Sequence, residues 1–165
     1  RQNFIFGGSL QVLAPLGQYD SSRIVNLGAN RWTIKPELGL SKTIGRVILE
    51  LSTAAAFFTD NDDFNTGQEK SQEPIYSVQG HVVYPFKNGI WAAGNSTYHT
   101  GGRSTVDGVE GKDLQENSRL GATLALPVNK NHSVKLYGSS GVSTRTGTNY
   151  DVLGLAWQYR WGGGI

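Results

Sequence analysis

The sequence predicts an all-β fold, an antiparallel up-and-down β-barrel that crosses a membrane, and three observations point to it. The first is the last strand, in which an apolar set alternates with a polar or small set. The apolar set is Leu153, Leu155, Trp157, Tyr159 and Trp161, and the opposite set is Gly154, Ala156, Gln158 and Arg160. Alternate side chains of a strand point to opposite faces, and Trp and Tyr rings anchor where a membrane meets water. The apolar face is therefore predicted to be the outside, and the polar face to line a lumen.

The second observation is that the same period of two recurs along the chain. Seven earlier segments alternate apolar and polar residues, at 4–14, 31–41, 47–57, 76–86, 90–100, 119–128 and 133–144, and the fifth and seventh are the least regular. Together with the last strand they predict eight strands. No stretch repeats its apolar residues at a convincing helical spacing, so almost no helix is predicted.

The third observation is that the lengths of the connections alternate. Short connections lie at 42–45, 86–89 and 129–131, and the pair Asn88-Gly89 suits a tight hairpin because both residues tolerate positive φ. Longer polar connections lie at 15–30, 60–72 and 101–117, with a shorter one at 145–149. Outer-membrane barrels have short periplasmic turns and longer extracellular loops. The alternation of short and long connections therefore predicts that the last strand ends on the periplasmic side.

Composition limits the remaining classes of protein. A chain of 165 residues suits one domain spanning 1–165, and a net charge of +2 gives no general signal for nucleic acid. The absence of cysteine removes disulfides, thiol nucleophiles and thiolate zinc sites. No apolar run reaches the roughly 18 residues of a membrane helix, whereas a barrel strand needs only about 9–11 residues. Because the chain begins Arg-Gln-Asn without an apolar leader, we expect it to be the C-terminal portion of a longer protein.

Two short motifs connect the first two strands. Pro15-Leu16-Gly17-Gln18-Tyr19-Asp20 is followed by Asn26-Leu27-Gly28-Ala29-Asn30-Arg31-Trp32. Together they resemble the P-x-G-x-Y-D … N-x-G-x-N-R-W signature of outer-membrane proteins in the MetA-pathway family of phenol degradation. The stretch Phe57-Phe58-Thr59-Asp60-Asn61 and the aromatic last strand are similar to the family too.

The resemblance implies an outer-membrane channel, often associated with the use of aromatic or other hydrophobic carbon sources. Its implied partners are outer-membrane lipid and lipopolysaccharide and small-molecule solutes, and no cofactor, metal or nucleic acid is expected. Family members are usually longer, which makes these eight strands part of a barrel of about a dozen strands. Eight strands alone would be filled by their own side chains, whereas a dozen leave room for a narrow channel.

Charged and titratable residues on the polar faces are the candidates for the lumen wall. They are Lys35, Glu37, Glu50, His81, Arg119, Lys135 and Arg160. A charge on the lipid face costs roughly 2–4 kcal/mol near the bilayer midplane, so we expect these residues to face inward. Two interpretations stay open, mutual neutralisation in a plugged lumen or a constriction that selects solutes. Four basic residues against two acidic ones predict mild anion preference.

Two further sets complete the candidate residues. The expected periplasmic aromatic girdle consists of Tyr84, Phe86, Trp157, Tyr159 and Trp161. The expected extracellular motif loop is defined by Pro15, Gly17, Tyr19, Asp20, Asn26, Gly28, Asn30, Arg31 and Trp32. Because the loop also carries the apolar residues Ile24, Val25 and Leu27, we expect it to be partly ordered and to narrow the mouth.

Two alternative functions have weaker support in the residues. A lipid-modifying barrel enzyme would use His99 as its base, with Ser96 and Thr100 nearby in sequence, although His81, His99 and His132 are more simply solvated or lumen residues. A soluble lipocalin-like barrel would place its apolar residues inside. The acidic run 60–63 does not fit a calcium-binding loop, because Phe64 and Asn65 occupy positions that need a ligand and a glycine.

Overall fold

A computed structural model describes residues 4–23 and 25–162, and its main feature is one eight-stranded antiparallel sheet. The strands are β1 (Phe4–Leu13), β2 (Thr33–Ile44), β3 (Val47–Phe58), β6 (Ile75–Pro85), β7 (Trp91–Gly101), β10 (Gln115–Pro127), β11 (His132–Thr144) and β12 (Val152–Tyr159). All eight predicted strands are present. Among the described residues the only helix is a single 3₁₀ turn at Lys87–Gly89, and no helix there is long and apolar enough to span a membrane.

Each strand pairs with the strands of the same sheet that precede and follow it in the chain. The order is β1-β2-β3-β6-β7-β10-β11-β12, with the missing numbers belonging to short strands in the connections. Within the described residues β1 and β12 do not pair with each other, so the sheet is an open wall. We call the end of the sheet that carries the longer connections the long-loop end, and the opposite end the short-turn end. The up-and-down order agrees with the predicted topology.

The long connections form a second sheet that the sequence did not predict. It contains β4 (Asn61–Phe64), β5 (Gln68–Gln72), β8 (Ser104–Val106) and β9 (Val109–Glu110), in that order. The connections at 60–72 and 101–117 were predicted to contain no strands, and that prediction was wrong. These strands are only 2–5 residues long and mostly polar, so they show no period of two. Their local signal is Asp107-Gly108 between two valines, a sequence typical of tight hairpins.

The large sheet has its apolar side chains outside and no apolar core. Along β2 the residues Ile34, Pro36 and Leu38 are exposed, while Lys35 and Glu37 between them are half-buried. The only buried apolar residues of the described chain are Ala54 and Ala125. A soluble barrel would bury its large apolar residues. The lipocalin-like alternative is therefore wrong, and the predicted inside-out polarity agrees with the structure.

Three tight turns close the short-turn end. β2 and β3 are joined by Gly45 and Arg46 alone, with Gly45 at φ +61°, so the strands extend further into 42–45 than predicted. Asn88 (φ +61°) and Gly89 (φ +76°) adopt the positive φ values predicted for their hairpin. In the third turn, the Asn129 side chain accepts hydrogen bonds from the backbone N–H groups of Asn131 and His132.

Candidate functional site

The polar face of the sheet carries a continuous row of polar side chains. Directly opposite positions pair Ser41 with Glu50, Glu50 with His81, and His81 with Asn95. Directly opposite Cβ atoms lie about 4.5–5.5 Å apart, so a carboxylate, an imidazole and an amide line one band of the wall. A groove of about 360 Å³ beside this row is lined by Glu37, Gln79 and His81 among others. The arrangement offers polar contacts to a solute passing along the face.

Lys35 and Glu37 neutralise each other in part, as one interpretation of the sequence expected. Their Nζ and Oε2 atoms are 3.5 Å apart, and both side chains are more than one-third exposed. Such an exposed pair contributes little stability, on the order of 0–1 kcal/mol. Its main effect is therefore to reduce the net charge near the long-loop end of β2.

Arg119 is fixed in place by a loop that folds over the polar face. Its guanidinium donates hydrogen bonds to Ser139 Oγ at 3.1 Å and to the Tyr150 carbonyl oxygen at 2.9 Å. It also lies 4.1 Å from the centre of the Tyr150 ring. Asn117 holds the same loop by donating to the Thr146 carbonyl and accepting from the Arg145 backbone N–H. The inward bend of the connection between β11 and β12 was not predicted from the sequence.

The two remaining basic candidates lie nearer the short-turn end. Lys135 places its ammonium 5.5 Å from the Trp91 ring centre, and Trp91 occupies the polar face opposite Ala125. Arg160 follows the last residue of β12 and donates to the Lys130 carbonyl oxygen at 3.3 Å. Arg160 is thus placed at the rim of the wall, while Lys35, Glu37, Glu50, His81, Arg119 and Lys135 lie along it.

The motif loop owes its shape to two glycines in contact. Gly28 donates from its backbone N–H to the Gln18 carbonyl oxygen at 3.0 Å, and a Cβ on Gly28 would lie 2.8 Å from the Gly17 oxygen. Asn26 bridges the loop by accepting from the Asp20 N–H and donating to the Asp20 and Arg23 carbonyls. Hydrogen bonds from Ser22 hold the pKa of the Asp20 carboxyl below its usual range. The signature residues therefore specify a defined turn, as predicted.

Asn61 joins this loop to the small sheet. Its side chain is among the most buried polar groups described, at 3% exposure, and it donates to the Tyr19 hydroxyl and accepts from the Asn30 amide. Tyr19 donates in turn to the Asp63 carbonyl oxygen, and the Thr66 N–H donates to the Ser21 carbonyl. We call this arrangement the clasp, defined by Tyr19, Asn30 and Asn61.

The apolar residues of the motif loop do not pack inward. Leu16 is 90% exposed and Leu27 is 91% exposed, and Val25 is nearly as open. Ile24, which was also expected to contribute, lies outside the described residues. The order of the loop thus comes from its internal hydrogen bonds and from the clasp, and inward packing of Leu16, Val25 and Leu27 is not seen.

Arg31 leaves the motif loop on the polar face of the sheet. Its guanidinium lies 4.4 Å from the Phe58 ring centre and donates through Nη2 to Gln72 Oε1. Its Nη1 atom is buried and has no hydrogen-bond partner among the described residues. Burial lowers the pKa of Arg31, while the nearby carboxylate of Asp60 opposes the shift. A buried donor without an acceptor reduces the free energy of unfolding, so this atom marks a place where an acceptor would bind favourably. Trp32, the last signature residue, exchanges two hydrogen bonds with Thr59 and directly precedes β2.

The aromatic residues of the predicted girdle gather at the short-turn end of the apolar face. Tyr84 and Phe86 meet edge to face with ring centres 4.8 Å apart, and the Trp157, Tyr159 and Trp161 rings follow one another at 6.4 and 6.0 Å. His132 lies within this cluster, 5.2 Å from Trp157 and 4.9 Å from Tyr159. Position 132 is paired with Tyr159 on the apolar face, so His132 does not point to the polar face of the wall but stays partly exposed at the short-turn end.

The histidine proposed as a catalytic base does not share its face with either of the hydroxyl residues that lie near it in sequence. His99 shares the polar face with Asn117, whose Nδ2 lies 3.3 Å from His99 Nε2. Ser96 and Thr100 differ from it by odd numbers of residues and therefore point to the apolar face. The hydroxyl residue directly opposite His99 is instead Ser77, on β6. The described residues also hold no cluster of three or more potential metal ligands, the acidic run 60–63 included.

The chain is similar to one protein family and to solved structures. The sequence model of the family described as "Putative MetA-pathway of phenol degradation" matches residues 1–159. Among solved structures, the chain is similar to an outer membrane channel from Pseudomonas putida F1, with a TM-score of 0.84 and 24% identity. That match covers 95% of this chain and 59% of the channel, less than two thirds of its length. No curated protein matches the chain. The structural likeness confirms the predicted β-barrel fold.

Proposed function

Because the chain belongs to the family of the MetA pathway of phenol degradation, we propose that it forms the wall of a bacterial outer-membrane channel for passive uptake of small solutes. The observation that carries the proposal is the polarity of the sheet. Large apolar side chains cover one face, and charged and amide side chains line the other. This polarity suits a wall with lipid on one side and water on the other. Outer-membrane lipid and lipopolysaccharide are then its natural surroundings.

The open edges of the sheet support a larger barrel. β1 and β12 present backbone N–H and C=O groups that have no partner strand within the described residues. In lipid such groups must be hydrogen-bonded, so only closed barrels cross a bilayer with strands. We propose that further strands of the same protein close the wall into a barrel of about a dozen strands. A barrel of that size exceeds the eight strands that side chains can fill.

The charges on the polar face favour small anions among the solutes. Lys35, Arg119, Lys135 and Arg160 exceed Glu37 and Glu50, and Arg119 and Lys135 form no ion pair with a described residue. At an effective dielectric of about 20, a unit charge at 4 Å contributes about 4 kcal/mol. Even a small excess of positive charge therefore biases a narrow passage toward anions. Aromatic or other hydrophobic solutes would pass beside the apolar surfaces of Trp91 and Tyr137.

The proposal is tested by recording single-channel currents of the full-length protein in a planar bilayer. We expect discrete conductance steps and a reversal potential that indicates mild anion preference under a salt gradient, strongest at low salt because salt screens charges. Lys35→Glu combined with Arg119→Glu should shift the reversal potential toward cations. Lys112→Glu, an exposed residue beyond β9, is the matched control and should leave it unchanged. Absence of conductance would overturn the channel, and cation preference in the wild type would overturn the selectivity.

A further inference from the structure

A small cavity lies between the motif loop and the small sheet. Its volume is about 200 Å³, and its lining includes Tyr19, Asn26, Arg31, Asn61, Phe64 and Lys70. Drug-sized ligand sites usually measure roughly 300–1,000 Å³, so this cavity suits a smaller molecule. No carboxylate lines it, although two cations do.

The donors in this cavity are not equally available. The amides of Asn26 and Asn61 are already used inside the loop and the clasp, and the Tyr19 hydroxyl donates to a backbone carbonyl. Arg31 Nη1, in contrast, is buried without a hydrogen-bond partner among the described residues. Neither Arg31 nor Lys70 belongs to an ion pair in the part of the chain that the structure describes. The available donors of the cavity are therefore both positively charged.

Both cations are also held in position before any ligand binds. The Arg31 guanidinium is held by the Phe58 ring at 4.4 Å and by Gln72. The Lys70 ammonium lies 4.6 Å from the Phe64 ring centre. Cation–π contacts of this kind restrict a long side chain without using its hydrogen-bond donors. Preorganised donors raise affinity because less conformational entropy is lost on binding.

We infer that this cavity binds the carboxylate of a small organic solute at the long-loop end of the wall. Arg31 Nη1 would donate to the carboxylate and Lys70 would contribute the second positive charge, while the Phe64 and Tyr19 rings form apolar walls for a flat, aromatic body. Guanidinium and ammonium groups are the usual donors to carboxylates. The inference rests on the proposed channel only for its biological role, because binding is measurable without transport.

The test is calorimetric titration of the full-length protein in detergent with benzoate, and with benzyl alcohol as a neutral analogue of similar size. We expect saturable binding of benzoate and at least about tenfold weaker binding of benzyl alcohol, since hydrogen bonds to charged groups are the stronger class. Equal binding of both compounds, no saturable binding of benzoate, or binding of inorganic phosphate in its place would overturn the assignment.

Variants distinguish binding in the cavity from a nonspecific effect of the protein's net positive charge. Arg31→Gln should raise the Kd for benzoate at least about tenfold, and Lys70→Gln should raise it several-fold, whereas Lys112→Gln should leave it unchanged. Lys70→Gln keeps the inference testable if Arg31→Gln fails to fold, which heat-modifiable migration on gels reveals. Equal loss in Lys112→Gln, or no loss in Lys70→Gln, would overturn the site. If the protein binds benzoate but shows no conductance, the proposed channel function is overturned while the binding site is supported.

Discussion

Trp157 donates a hydrogen bond from its indole Nε1 to Nδ1 of His132, 3.1 Å away, and the two rings lie nearly parallel with an interplanar angle of 14°. A neutral imidazole that accepts at Nδ1 carries its proton on Nε2. His132 therefore turns an N–H donor away from Trp157 at the level where the aromatic girdle ends. In the proposed membrane, this position coincides with the interface, where polar tips of aromatic side chains meet headgroups and water.

The first prediction concerns this girdle. Replacing Tyr159 and Trp161 together by Ser should reduce the amount of folded barrel in the membrane, because the interface loses two adjacent anchoring rings. The measurement is the fraction of heat-modifiable protein on gels. Gln158→Ser is the matched control, since it lies next to Tyr159 in sequence but points to the polar face. If the double variant folds as well as the control, the rings do not anchor the strand.

The second prediction tests which face meets lipid. The chain contains no cysteine, so single cysteines can be labelled without background. Cysteines at Leu124 and Leu155 should react with a lipid-phase reagent, and cysteines at Thr123 and Gln158 should not. Neighbouring positions differ only in the direction of the side chain, which makes Thr123 and Leu124 a matched pair. Preferential labelling at Thr123 would reverse the assignment of the two faces.

The third prediction concerns the contact between the two glycines of the motif loop. Gly28→Ala should destabilise the loop, because its Cβ would lie 2.8 Å from the Gly17 carbonyl oxygen. Gly39→Ala is the control, since a Cβ there meets no atom within 4 Å. Limited proteolysis of the folded barrel should cut the Gly28→Ala loop faster while leaving Gly39→Ala like the wild type. Equal cleavage rates would show that the loop accommodates the added methyl group.

The fourth prediction asks whether the motif loop narrows the proposed pathway. Deleting residues 21–25 removes Ser21, whose carbonyl accepts the Thr66 N–H and ties the loop to the small sheet. Single-channel conductance of the full-length protein should rise, because the loop would no longer be held over the mouth. Heat modifiability confirms that the barrel still folds. Unchanged or lower conductance in folded protein would mean that the loop is not a gate.

The eight strands were predictable because a wall with lipid on one face and polar groups on the other imposes the period of two on the sequence itself. The small sheet was not, because β8 and β9 are too short and too polar for a period to show. The place of His132 among aromatic rings was not predictable either, because a histidine next to a short turn is compatible with either face of the following strand.

The candidate site was predictable only at the level of which side chains share a face. Parity places Glu50 and His81 on the polar face, but their direct pairing depends on the register between two strands that residues 59–74 separate. Arg119 and Tyr150 meet because a loop bends inward, and the sequence carries no simple signal for that bend. Which residues lie on the polar face could be predicted from the sequence, whereas the residues that each of them contacts could be found only from the structure.

The chain-order pairing of the large sheet has a consequence for how the size of such proteins can change during evolution or design. Because each strand contacts only its chain neighbours, gain or loss of a hairpin changes the circumference while every other ladder keeps its register. The pairing of β5 with β8 limits this freedom, since it bridges the connections on either side of β6 and β7. We therefore expect the segment from β3 to β10 to change as one unit, and changes in diameter to occur at the β11–β12 hairpin and beyond β1.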